Sequence, residues 1–106
     1  MSQAIVVQTT TDSSANAEKL AETIVQNAQG ACVQIVGPIK SVYKWQETIQ
    51  KEEEFLVSIK TTRPFFSSLA ELIRQHHKYE VPEIIALPII DGSSEYLEWV
   101  ANQVHN

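Results

Sequence analysis

The apolar positions switch between a period of two and a period near 3.6, and each switch marks an element. Ile5, Val6 and Val7 are β-branched and contiguous, which predicts a central strand from Gln3 to Thr9 covered on both faces. Asp12, Ser13 and Ser14 carry cap-type side chains. After them Ala17, Leu20, Ala21, Ile24, Val25 and Ala28 recur at helical spacing, so an amphipathic helix should run up to a stop at Gly30. Ala31 to Trp45 is β-like throughout, with a bulge or bend expected at Gly37-Pro38 because proline cannot donate to a ladder. A polar stretch from Gln46 to Glu54 separates this strand from a second, in which Phe55, Val57 and Ile59 alternate with Leu56, Ser58 and Lys60. The two strands should pair as a hairpin.

Thr61, Thr62 and Pro64 introduce another helix, with Phe65, Phe66, Leu69, Leu72 and Ile73 on one stripe and His76 and His77 at its C-terminal end. Val81 to Ile90 reads as a strand built on the apolar run Ile84, Ile85, Ala86 and Leu87. Asp91-Gly92-Ser93-Ser94 is turn and cap chemistry, and Tyr96, Leu97, Trp99, Val100, Ala101 and Val104 fall on a last helix. The order β-α-β-β-α-β-α predicts an α+β, ferredoxin-like domain: an antiparallel sheet with helices on one face, plus a terminal helix.

Hairpin length adds a constraint. Fifteen strand residues span roughly 50 Å at about 3.3 Å each, whereas a compact domain of this size has a radius of gyration of about 13 Å. The arm must bend sharply at Gly37-Pro38, or its tip, carrying Tyr43 and Trp45, must pack on a second chain. Exposed aromatics on a monomer's arm invite aggregation, so an oligomer is expected.

Composition narrows the function. The 106 residues, 43% hydrophobic and 20% charged, suit a single domain over residues 1–106 with a real core. Eight basic residues, scattered, against thirteen acidic ones leave a net charge of -5, which argues against nucleic acid. The N-terminal apolar stretch is far below signal-peptide or membrane-spanning length, so a soluble cytoplasmic protein is expected, with no membrane partner. The lone Cys32 cannot form an intrachain disulfide and agrees with a reducing compartment. Ser67 and Ser68 lack a nucleophile context, three glycines make no phosphate loop, and Cys32 has no identified base, so an enzyme is not expected.

The segments ACVQI (Ala31 to Ile35), SVYKW (Ser41 to Trp45), EEEFLVSIKT (Glu52 to Thr61), HKYEVPEIIALPI (His77 to Ile89) and YLEW (Tyr96 to Trp99) together closely resemble the CutA family of divalent-cation tolerance proteins. The resemblance implies a ferredoxin-like fold, a homotrimer in which the long hairpin contributes to intersubunit sheets, and an architecture similar to PII signalling proteins. Two departures stand out. Lys78 replaces the proline common after the motif histidine, and Gln46-Glu47-Thr48 lacks the usual turn glycine, which predicts a looser or differently shaped tip.

The same resemblance implies copper or another divalent cation as ligand, with Cys32, His77 and Glu83 at the matching positions. Thiolate and imidazole suit copper or zinc, and a carboxylate can complete such a site. No short ligand spacing is present, so folding or subunit assembly must gather them. Each residue also has a plainer reading. Cys32 can be a small buried hydrophobe, His76 and His77 can serve the helix dipole, and Glu80 and Glu83 can be solvated or salt-bridged. The run from Lys51 to Glu54 reads as a solvated strand face. Tyr43, Trp45 and Trp99 read as interface or core aromatics, or as cleft walls. With Lys60, Thr61, Tyr79 and Glu80 they could line an intersubunit cleft for a small anionic ligand, as similarity to PII proteins would allow.

Overall fold

The computed structural model describes residues 3–106. Among them, four strands form one antiparallel sheet in the spatial order β2-β3-β1-β4, joined by three α-helices in the expected sequence. Strand β1 (Ala4–Thr11) is central, paired with β3 (Thr48–Thr62) on one side and β4 (Ile85–Pro88) on the other, while β2 (Cys32–Trp45) pairs with β3. Helix α1 (Ser14–Gln26) is capped by Ser13, whose hydroxyl accepts the Asn16 N–H at 3.1 Å. A 3₁₀ turn with Pro64 at its start leads into α2 (Phe66–His76), and α3 (Ser94–Gln103) is capped by Ser93.

Alternation along the strands sorts the sheet into two unlike faces. Ile5, Val7, Val57 and Ile59 turn toward α1 and α2 and pack with Ala17, Leu20, Ile24, Leu69 and Ile73 as the core. Val6, Leu56, Ile85 and Leu87 point the other way, and Ile85 and Leu87 remain 47% and 42% exposed. The expectation that β1 is covered on both faces is therefore corrected: one face has helices, the other has only α3 near one end. The run from Ile84 to Leu87 is corrected likewise. It is an edge strand of four residues, shorter than Val81 to Ile90, because only Ile85 to Pro88 finds ladder partners on β1.

Helix α1 also stops earlier than Gly30. Its last turn closes with Ala28 N–H on the Val25 carbonyl at 3.0 Å and Gln29 N–H on the Ile24 carbonyl at 3.1 Å, with Ala28 in the left-handed region at φ 55. That is a Schellman closure with alanine where glycine usually sits. Gly30 serves packing instead, since a Cβ there would lie 2.6 Å from Ile59 Cγ2 and 2.7 Å from Ile24 Cγ2.

The hairpin arm forms as expected. The register slips between Val36 and Ile39, which places the bulge at Gly37-Pro38, a cis peptide. Its tip is tighter than the glycine-free sequence predicts, because β3 starts at Thr48 and only Gln46 and Glu47 make the turn. The arm accounts for principal extents of 45 × 25 × 22 Å and a radius of gyration of 14.3 Å.

Candidate functional site

The connection from α2 to β4 is where the sequence places most of its chemistry. His77 caps α2 in extended conformation and folds back on the end of β1, with Nε2 2.6 Å from the Thr10 carbonyl oxygen. Its other nitrogen, Nδ1, lies 3.0 Å from the Tyr79 backbone nitrogen. A carbonyl can only accept and a peptide N–H can only donate, so Nε2 carries the proton and Nδ1 accepts. Both ring nitrogens are occupied. The Tyr79 ring packs on the imidazole, centroids 4.7 Å apart, and its hydroxyl donates to Glu54 Oε2 at 2.9 Å.

Glu54 lies where the arm leaves the body, opposite Ile39 at the bulge, and is only 8% exposed. The reading of Lys51 to Glu54 as a solvated face is thus corrected at its last residue. Burial, then the hydrogen bond to Glu54, holds the Tyr79 phenol well above its ordinary range. Glu52, one step outward on the same face of β3, accepts from the Tyr43 hydroxyl, and that bond raises the Tyr43 phenol. His76 donates from Nδ1 to the Leu72 carbonyl at 3.0 Å, so it satisfies the end of α2. Lys78 reaches Asp12 at 3.2 Å. The hydrogen bond from Asn16 and that from Lys78 lower the Asp12 carboxyl. Asp12, Asn16, His76, His77, Lys78 and Tyr79 help to wall a cavity of about 350 Å³ between α1 and the end of α2.

Cys32 belongs to another part of the sheet. It starts β2 directly opposite Lys60, which in turn faces Val6, and both side chains sit on the face away from α1 and α2. The Lys60 ammonium bonds Gln34. Burial, then the charge of the nearby Cys32 thiol group, raises the phenol of Tyr96 on α3. Tyr96 stacks on Trp99 at 5.8 Å.

The Thr10 contact of His77 is four residues along β1 from the rung of Cys32, about 13 Å, and two strand spacings of about 4.8 Å across. Glu83 and Glu80 are exposed and make no hydrogen bond or ion pair among the described residues. No three His, Cys, Asp or Glu side chains among the described residues stand close enough to hold an ion. Cys32, His77 and Glu83 therefore do not meet within one chain. Of the cleft residues, Tyr43, Trp45 and Trp99 are exposed, while Thr61 is fully buried with its hydroxyl on the Gln29 carbonyl at 2.8 Å. Thr61 is a core residue, because the alternation that exposes Lys60 turns its neighbour inward. Sequence reasoning missed Glu54, Thr10 and Asp12. The alternation of β3 gives no hint of Glu54, because it sets that residue with Leu56 and Ser58 on the face opposite to Phe55, Val57 and Ile59.

A family profile described as "CutA1 divalent ion tolerance protein" matches residues 5–103. The chain is 45% identical over 102 residues to "Protein CutA, chloroplastic" of Arabidopsis thaliana, covering 96% of the chain and 56% of that protein. It is 41% identical over 95 residues to "Divalent-cation tolerance protein CutA" of Thermus thermophilus, covering 90% of the chain and 92% of that protein. The chain spans about half the length of the plant relatives. The solved structure of the Thermus thermophilus divalent cation tolerance protein superposes with TM-score 0.94 at 38% identity, covering 96% of this chain and 99% of that one. A structure titled periplasmic divalent cation tolerance protein CutA, from Archaeoglobus fulgidus, superposes with TM-score 0.93 at 31% identity, covering 96% and 99%. No helix among the described residues is long and apolar enough to cross a membrane.

Proposed function

Because the chain belongs to the CutA1 divalent ion tolerance family, we propose that it serves divalent-cation tolerance as a ferredoxin-like homotrimer that binds a divalent metal, copper first, and is not an enzyme. The observation that carries the assembly is the half-covered sheet. Val6, Leu56, Ile85 and Leu87 form an apolar strip that only α3 approaches, near one end, and the arm exposes Val42, Tyr43, Trp45 and Ile49 on its two faces. Copies of the same chain would bury both surfaces. Assembly would also serve the metal, because Cys32 and the unpaired Glu80 and Glu83 can complete an ion's coordination only across a subunit boundary. A thiolate with carboxylates suits a borderline or soft divalent ion. A cytoplasmic setting belongs to this reading, since a single cysteine used as a ligand must stay reduced.

Light scattering should give about three times 11.9 kDa, and a monomer mass would overturn the assembly. Calorimetric titration with Cu²⁺ should show binding tighter than about millimolar that weakens at least tenfold in Cys32→Ser and Glu83→Gln. Affinity unchanged in both variants would overturn the metal reading.

A second reading, a PII-like sensor with a small anion in an intersubunit cleft, is supported by Lys60, whose ammonium stands beside Gln34 on the open face where another copy would enclose it. A thermal-shift screen of small anionic metabolites should then show stabilisation that Lys60→Ala abolishes; a flat screen rejects it.

A further inference from the structure

The resemblance that brought His77 forward implies a metal ligand, and the geometry around it disagrees. We propose that His77 is a positioning residue, not a ligand: it latches the α2–β4 connection to β1 and, through Tyr79, fixes the buried carboxylate at the root of the arm. This narrows the cation reading above to ligands other than His77 and stands on separate observations.

The imidazole has two nitrogens, and both have partners. Nε2–H is given to Thr10, 67 positions earlier in the chain, and Nδ1 takes the Tyr79 N–H. An ion could enter only by displacing one of them, leaving either the Thr10 carbonyl or the Tyr79 N–H without its partner, at a cost typical of a broken buried hydrogen bond. No second His, Cys, Asp or Glu pair stands near it among the described residues to repay that loss.

What the ring does instead follows from its contacts. From Tyr79 to Ile84 the chain has no helix or ladder of its own, and the side-chain bonds that tie this region down are His77 to Thr10, Lys78 to Asp12 and Tyr79 to Glu54. The His77 ring holds Tyr79 from two sides, by the backbone bond and by a tilted ring contact with centroids 4.7 Å apart. That places the phenol on Glu54, opposite Ile39 where the arm bends. Glu80 and Glu83 hang from the segment so anchored, so His77 also sets where those carboxylates are presented.

The test reads the ring directly. In the ¹⁵N-labelled protein, two-bond nitrogen–proton correlations should show His77 Nε2 as the protonated nitrogen and Nδ1 as the bare one, and one equivalent of Zn²⁺ should leave both signals in place. His77→Gln keeps an N–H for Thr10, while its amide oxygen lies away from the Nδ1 position that accepts from Tyr79. It should shift the Tyr79 ring and Glu54 signals while changing Zn²⁺ affinity less than about twofold. A coordination shift at either His77 nitrogen overturns the proposal, as does a tenfold loss of affinity in His77→Gln with Tyr79 unmoved. If the wild type binds no ion, the cation reading fails while the latch is still decided by the tautomer. The reversed tautomer, or a freely exchanging ring, overturns the latch even where the ion binds elsewhere.

Discussion

Trp45 and Thr48 face each other as the last pair of the arm, so the whole reversal is carried by Gln46 and Glu47, at φ 49 and 67. Two successive left-handed residues are the signature of a type I′ turn, whose twist matches that of the flanking strands. Neither residue is one that tolerates this region cheaply. The absent glycine has not loosened the tip; the ladder imposes the tight turn and the strain is retained. Glu47→Gly should therefore stabilise the protein by about 1 kcal/mol. Urea denaturation measures it, and a loss of stability would mean that Glu47 makes contacts that outweigh its backbone cost.

The same reasoning applied to the end of α1 gives opposite signs at two nearby positions. Ala28 holds φ 55 in the Schellman closure, so Ala28→Gly relieves strain and should gain up to about 1 kcal/mol. Gly30→Ala drives a methyl into Ile59 and Ile24, both fully buried, and should cost about 1–3 kcal/mol through overpacking. Thermal melts of the two variants check the pair. Equal and small effects would mean that the chain relaxes at both sites.

These positions show what the sequence could and could not carry. Element order was legible because Leu20, Ile24, Leu69 and Ile73 repeat at helical spacing while Val57 and Ile59 alternate, and period alone reports which face is buried. Gly30 misplaced the helix stop because a glycine kept for close approach looks the same in sequence as one kept for its φ. The run from Ile84 to Leu87 gave no sign of lying at a sheet edge, because an apolar edge strand has the composition of a central one. His77 was legible as chemistry but not as a latch, since its partner Thr10 offers a backbone carbonyl, which no residue type encodes.

Thr9 offers a test of the core beneath the site. It is fully buried, and its hydroxyl is the one buried side-chain polar atom without a hydrogen-bond partner among the described residues. Placing a hydroxyl there costs desolvation that nothing returns. Thr9→Val keeps the shape and removes the polar atom, so it should stabilise by about 1 kcal/mol in chemical denaturation. A destabilised variant would reveal a partner that the hydroxyl acquires in the working protein.

Tyr79 sets the alkaline behaviour of the arm root. Its phenol is raised above the ordinary value of 10.0 by burial first, then by the bond to Glu54, with the carboxylates of Glu54, Asp12 and Glu52 all opposing a phenolate. The sign follows from linkage: a group whose pKa is higher folded than unfolded contributes stability that is complete below the unfolded value and is lost as pH rises from there toward the folded one. Tyr79→Phe deletes this contribution and also leaves Glu54, 8% exposed, without its donor, so at neutral pH it should cost about 1–3 kcal/mol. Above about pH 10 the wild type begins to lose what the variant never had, and the gap between them should close. Urea midpoints of both proteins between about pH 7 and about pH 11 measure that gap. A gap that stays constant or widens would show that the Tyr79–Glu54 bond does not hold the arm root in solution.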